Sequence, residues 1–263
     1  MPDPVDIYDR RYAAGYREHL SGYEIARSKA LEHFLVSVVK QGAARSVLDY
    51  GAGSGLFVPL WERVFPRAEL GFCDPSPVAR ERFRERFPRH ADRYSLVEED
   101  RAGFEDGSFD VVVSVEVMEH VESLAIFVKD IWRVLRPGGT FVWTTPCANA
   151  LSMEHLFAMA TGRIEPTPDG FRRWAWEDPA HLRRLRSREI ERLLRDSGFR
   201  DVRFRFRAHL LSFVCTHVMR GRMQGLGERL MELDYLLFRR LPSGASMLGA
   251  ARAADAGHSS RTR

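Results

Sequence analysis

From residue 46 onward, short apolar runs alternate with longer stretches whose apolar residues fall at helical spacing. Residues 46–50, 69–73, 94–98, 109–114 and 140–145 read as strands, and Val111-Val112-Val113 is apolar at consecutive positions, as a strand covered on both faces requires. The clearest helix pattern begins at Ser123, a good N-cap. It continues through Leu124, Phe127, Val128, Ile131 and Leu135 and stops at the Pro137-Gly138-Gly139 turn. Alternation of this kind predicts an α/β fold: a mostly parallel sheet with right-handed crossovers and helices on both faces.

Residues 1–45 are predicted helical, with Ile25, Leu31, Phe34, Leu35 and Val38 forming an apolar stripe. Tyr8, Tyr12, Tyr16 and Tyr23 precede or begin that stripe. Packing onto the domain is their favoured role, and covering a ligand is the other. Residues 147–181 show no clear periodicity and carry Pro166, Pro168, Gly170 and Pro179, which marks an insertion or lid. A helix is expected over about 187–196, closed by Gly198. Along 201–207 Val202, Phe204 and Phe206 alternate with Arg203, Arg205 and Arg207, as in a strand. A helical stretch near 226–239 and a last short strand at 247–251 follow. The expected organisation is a helical lid (1–45), an α/β domain (46–252) with the 147–181 insertion and a C-terminal helix and strand within 208–252, and a disordered tail (253–263).

With 263 residues, 44% hydrophobic and 29% charged, the chain suits one large globular domain. No apolar leader follows Met1-Pro2-Asp3-Pro4, and the longest apolar runs, 111–117 and 210–214, fall far short of a span of about 20 residues. A cytoplasmic location is the default. Segment 209–219 is apolar enough for peripheral membrane contact, with core packing preferred. Net charge is +4, and nearly all the cations are arginine. The arginines crowded over 183–207 read as solvated helix and strand faces, without the interleaved aromatics of a nucleic-acid platform. Cys73, Cys147 and Cys215 lie far apart, giving no disulfide framework and no zinc-type spacing, so no metal site is expected. Nothing in the sequence sets an oligomeric state.

The informative chemistry lies at Val47-Leu48-Asp49-Tyr50-Gly51-Ala52-Gly53-Ser54-Gly55, where an apolar strand runs into three glycines and then a helix pattern. Glycine serves where the chain turns sharply or a ligand must approach without a Cβ in the way. Asp74 ends the next strand, where a carboxylate meets a ribose hydroxyl pair. Two details turn the loop away from a nicotinamide enzyme. The dinucleotide fingerprint needs glycine where Leu56 stands, and Asp49 just ahead of the loop suits a cationic ligand better than a pyrophosphate.

On these residues the chain resembles the class I S-adenosylmethionine-dependent methyltransferases, over about 45–207. Leu48–Gly55 looks like that family's first motif and Cys73-Asp74-Pro75-Ser76 like its acidic strand end. Phe104–Asp110 precedes the fourth strand as in the family, Ser114–Val121 is similar to the segment after it, and Leu135–Gly139 to the turn before the fifth. His181, Ser187, Glu189 and Gly198-Phe199 resemble a subgroup that includes ubiquinone-pathway O-methyltransferases and natural-product and sugar methyltransferases. The resemblance implies a Rossmann-like sheet of seven strands, the last antiparallel. It implies that Asp49 and the loop residues Gly51, Ala52, Gly53 and Gly55 contact the methionine part of the cofactor. It further implies that Asp74, with Pro75 beside it, binds the ribose, that Asp100 meets the adenine (Glu98 or Glu99 as alternatives), and that Glu116 lines the floor near the sulfonium.

Methyl transfer to a hydroxyl requires a proton acceptor. His120 and His181 are the candidates, His155 a weaker one. Cys147 as a covalent nucleophile is disfavoured, since no partner base accompanies it. The fourth strand is not followed by an Asn/Asp-Pro-Pro-Tyr motif, which disfavours a nucleic-acid acceptor. The expectation is a small-molecule methyltransferase acting on oxygen. Its rivals are a non-catalytic cofactor-binding partner, an NAD-type oxidoreductase on the same fold, and an RNA or protein methyltransferase.

Overall fold

The computed structural model describes residues 4–16, 21–40, 42–217 and 224–254. Two helices, α1 (Pro4–Ala13) and α2 (Gly22–Val38), precede the sheet. Ser21 starts α2 with a capping box: its hydroxyl accepts from the Glu24 amide at 3.4 Å, and the Glu24 carboxylate accepts from the Ser21 amide at 2.8 Å. Then come β1 (Ser46–Tyr50), α3 (Val58–Val64), β2 (Glu69–Asp74), α4 (Pro77–Arg86), β3 (Tyr94–Glu98), β4 (Arg101–Ala102), β5 (Phe109–Val115), α5 (Leu124–Val134) and β6 (Leu135–Pro146). The second half contains α6 (Met153–Ala160), β7 (Ile164–Pro166), β8 (Arg172–Trp174), α7 (Ser187–Asp196), β9 (Phe199–Arg207), α8 (Leu210–His217), α9 (Gln224–Phe238) and β10 (Ser246–Ala253).

The main sheet has the order β4-β3-β2-β1-β5-β6-β10-β9. Pairs β3–β2, β2–β1, β1–β5 and β5–β6 are parallel, and β10 lies antiparallel between β6 and β9. The seven expected strands are present, and the two-residue β4 adds an eighth at the edge. Strand order reverses at β1, with β2 on one side and β5 on the other, so a crevice opens past the carboxyl ends of β1 and β5. Successive β1 residues feed opposite faces: Leu48 and Tyr50 pack with Phe127, Ile131 and Trp143, and Val47 packs with Leu31, Leu35 and Trp61. On β10, Gly249 lies against the Trp143 ring, where an added Cβ would fall 2.0 Å from Cζ2. A glycine is required there to let the indole cross the strand.

Several expectations need correction. The Pro137-Gly138-Gly139 turn does not end the element before the fifth strand. β6 begins at Leu135 and carries the turn as an irregularity between the Phe109↔Leu135 and Val111↔Thr140 pairs. The 147–181 stretch contains α6 and the β7–β8 hairpin. The pattern of α6 is hidden because its bulky Leu156, Phe157 and Met159 face outward, while Ala158 and His155 are buried. The arginine-dense stretch is not wholly solvated. Arg183, Arg184 and Arg207 are buried, and Arg184 links Cys147 O (3.2 Å), Glu154 (2.7 Å) and Glu177. Ala253 closes β10 opposite Phe199; residues 255–263 of the expected tail, and 218–219 of the apolar segment, lie outside the described residues. Among the described residues no helix is long and apolar enough to cross a membrane.

Candidate active site

The crevice past β1 and β5 is a cleft of about 440 Å3, within the usual range of small-molecule sites. Gly51, Asp74, Pro75, Asp100, Glu116 and His120 line it, together with Tyr8 and Tyr12 of α1. Asp49, Ala52, Gly53, Gly55 and His181 are not among its lining residues, although Gly53 lies against Tyr12 and the His181 ring is 4.8 Å from that of His120. A second cleft of about 430 Å3, beside Asp110, Arg136 and Gly138 at the opposite end of the strands, contains none of the expected site residues.

The β1–α3 loop is stitched to β2. The Gly51 and Ala52 amides donate to Cys73 O at 2.8 and 3.0 Å, and the Gly53 amide donates to Asp74 Oδ2 at 3.0 Å. Asp74 Oδ1 accepts from the Ser76 amide at 3.0 Å, which fixes the carboxylate at the strand end. Gly51 has φ 87°, and an added Cβ would fall 2.3 Å from Val117 Cγ2; at Gly53 it would fall 2.3 Å from the Tyr12 hydroxyl. Both positions therefore need glycine, because Val117 and Tyr12 come too close to leave room for a Cβ. Burial lifts the Asp74 carboxyl to about 6, with the two amides holding it from rising further.

Asp49 is only 3% exposed and turns toward α3, where its Oδ2 accepts the Trp61 indole N–H at 2.6 Å. Burial raises it to about 7, the indole bond offsetting part of the effect. Of the three acidic residues near the end of β3, Glu99 and Asp100 line the cleft and Glu98 does not. Both have left-handed backbone, φ 49° and 59°, as does Glu116 at φ 55°. Such conformations in non-glycine residues gather where a site constrains the chain.

Past β5 the wall carries a compact polar cluster. Glu116 pairs with the buried Arg27 of α2 at 3.1 Å and accepts from Thr144 Oγ1 at 2.8 Å. Burial alone would raise Glu116; the Arg27 guanidinium and the Thr144 bond outweigh it and hold the carboxyl low. Glu119 is fully buried and accepts from Thr145 Oγ1 at 3.0 Å, while its Oε1 has no hydrogen-bond partner among the described residues. Burial and the nearby Glu116 charge raise it. His120 Nδ1 donates to Ala180 O at 2.8 Å, so the Tyr8 hydroxyl donates to Nε2 at 3.1 Å. Burial and His181 depress His120 to about 4. His181 is held the other way: burial would lower it, but its 3.4 Å bond to Glu177 and the Glu119 charge raise it. The two imidazole rings are 4.8 Å apart, centroid to centroid.

Glu119, His120 and His181 each offer a ligand atom, all within 4.8 Å of one another. The spacing of Cys and His along the chain could not reveal this set, because His181 arrives through tertiary contact, with the Leu182 amide bonded to Glu119 O at 2.8 Å. His155 packs against Trp174 at 5.4 Å, outside the cleft. Cys147 is fully buried, and burial raises its thiol to about 12, which leaves no nucleophilic thiolate.

A parallel sheet with its switch point at β1, a glycine-rich first turn and a carboxylate at the end of β2 defines a Rossmann-like fold with a crevice of the nucleotide-binding kind. The sequence matches the methyltransferase domain family over residues 16–203, and the chain belongs to that family. It is a class I methyltransferase domain whose cofactor is S-adenosylmethionine. A probable S-adenosylmethionine-dependent methyltransferase of Mycolicibacterium smegmatis is 34% identical over 157 residues, 60% of this chain and 52% of that protein. A ubiquinone biosynthesis O-methyltransferase of Maricaulis maris is 31% identical over 140 residues, 51% of this chain and 52% of that one. The chain thus spans about half the length of the curated relatives it matches. A Thermotoga maritima structure described as a possible histamine N-methyltransferase shares the fold with TM-score 0.60 at 16% identity, covering 94% of this chain and 98% of that one.

Proposed function

We propose that the chain methylates a hydroxyl oxygen of a small-molecule acceptor bound beside Glu116 and His120. The observation that carries this reading is the polar cluster past β5, which offers a proton acceptor at the cleft wall. When bound, S-adenosylmethionine supplies an electrophilic methyl on a sulfonium, with S-adenosylhomocysteine as the product. The Gly51–Gly55 loop borders the cleft at Gly51, Asp74 receives the ribose hydroxyls, and Asp100 or Glu99 meets the adenine edge. Asp49 acts from behind the loop, through its charge. Tyr8 and Tyr12 cover the cleft and exclude water.

Between the two histidines, His181 is the stronger base, because Glu177 and the Glu119 charge favour its protonated form while burial holds His120 neutral. His120, neutral above about pH 4, holds the Tyr8 hydroxyl of the cover through Nε2. The test is turnover of a panel of phenols, catechols and sugars, read as S-adenosylhomocysteine formed. His181→Gln should lower kcat about a hundredfold or more with cofactor affinity unchanged. Cofactor binding without turnover of any hydroxyl acceptor would overturn the acceptor class.

A second reading rests on the buried Glu119 Oε1, which makes no hydrogen bond among the described residues and lies 3.9 Å from His120 Nε2, within the Glu119–His120–His181 set. One carboxylate and two imidazoles suit a divalent transition metal, which would polarise the acceptor hydroxyl in place of a free base. Chelation separates the two: full activity after exhaustive EDTA treatment supports the base, and loss restored by Mn2+ or Zn2+ supports the metal.

A further inference from the structure

The outward face of α9 has a composition that the site does not use. Leu226, Arg229, Leu233, Leu236 and Leu237 are exposed at helical spacing, and Arg240 and Leu241 extend the line just past the helix. Leu237 is 61% exposed and Leu241 51%. The acidic residues of the helix are turned elsewhere. Glu232 pairs with Lys29 of α2 at 2.9 Å, Glu228 packs beside Gly22, and Asp234 is fully buried, accepting from the His209 and Leu211 amides at 2.8 and 2.9 Å. Met231 and Tyr235 fill the inner face. The exposed stripe therefore contains leucine and arginine and no acid. Leu210 and Val214 are also exposed, on α8, the helix packed on α9.

We infer that this face of α9 docks on an anionic lipid surface. Leucines on one stripe reach the acyl boundary, while arginines, with long apolar stems, keep their guanidinium groups at the level of the headgroup phosphates. A second copy of the chain is a poorer occupant, because a twofold contact would bring Arg229 and Arg240 against the same arginines with every acid of α9 turned away. A nucleic acid would engage the arginines and leave the exposed leucines in water. The inference is independent of the acceptor proposed above.

The test is co-sedimentation of the full 263-residue chain with vesicles of pure phosphatidylcholine and of phosphatidylcholine containing 30% phosphatidylglycerol, at about 0.1 M salt. At least fivefold more protein should sediment with the anionic vesicles. The pairs Leu233→Ser/Leu237→Ser and Arg229→Gln/Arg240→Gln should each remove most of that excess, with melting temperature and S-adenosylmethionine affinity unchanged. A control variant, Leu151→Ser/Phe157→Ser, alters another exposed apolar patch, around α6, and should bind like the parent. Equal sedimentation with both vesicles, parental binding by both α9 variants, or loss of binding in the α6 control overturns the inference. So does a dimer in equilibrium sedimentation that the leucine pair converts to monomer.

Discussion

Arg11 of α1 and Asp178 of the insertion, 167 residues apart, form a two-pronged ion pair, Nη1 to Oδ2 at 2.7 Å and Nη2 to Oδ1 at 2.8 Å. The pair joins α1, which lines the cleft, to the insertion. Tyr8, one turn before Arg11, bonds His120, and Ala180, two residues after Asp178, bonds the same imidazole from the other side. Cover and insertion are therefore fastened to each other and to one histidine.

Breaking that fastening should loosen the cover without unfolding the core, because both side chains are about a quarter exposed. Arg11→Ala is expected to speed cofactor dissociation threefold to tenfold and to leave the melting temperature within about 2 °C. Stopped-flow release and thermal denaturation measure the two quantities. An unchanged release rate would show that the ion pair does not govern access.

The Asp74 carboxyl, raised to about 6 by burial, makes cofactor affinity depend on pH. Its ionised form accepts hydroxyl hydrogen bonds best, so affinity should be flat above pH 7 and weaken about tenfold per unit well below 6. Asp74→Asn should bind weakly at every pH, with no such slope. Calorimetric titration between pH 5 and 8 reads both curves.

Asp49 should reveal a conflict between stability and function. Its folded pKa of about 7 lies above the ordinary value of 3.8, so between those limits the folded chain holds a proton that the unfolded chain has released. Its contribution to stability is present at low pH and is lost as pH rises through about 7. Asp49→Asn keeps an oxygen for the Trp61 indole and removes the buried charge. The variant should melt a few degrees higher than the parent at pH 8, at roughly 2–4 °C per kcal/mol, and that gain should shrink at pH 5. Its cofactor affinity should fall. An equal gain at both pH values would show that Asp49 does not titrate in this range.

Gly249→Ala tests the packing of the sheet. The new methyl meets the fully buried Trp143 ring, and overpacking of this kind costs about 1–3 kcal/mol. Urea denaturation should show the loss, and Trp143→Leu in the same chain should recover part of it.

Much of the geometry around the first turn was legible because it rests on local rules. The strand into Gly51-Ala52-Gly53 and the carboxylate at the end of β2 are short-range patterns, and the structure places Asp74 on the Gly53 amide. The polar cluster was legible only in part. His120 and His181 stood out as candidates, but Glu119 did not, since its proximity to His181 depends on how the insertion returns. Asp49 was legible as a residue type but not in direction, because the sequence does not say that Trp61 will turn toward it. The arginines near 183–207 looked solvated, and only tertiary contact shows that Arg184 holds the insertion to Cys147, Glu154 and Glu177.

The antiparallel β10, held between β6 and β9, bears on the order in which the molecule is made. A chain emerging from the ribosome presents β6 and then β9 long before Ser246–Ala253, the segment that joins them, has been synthesised. Until that segment arrives, β6 carries an unpaired edge and β9 has no sheet to belong to. Closure of the sheet is thus a late, long-range event, and the nascent domain is most exposed to wrong pairing just before its final strand is delivered.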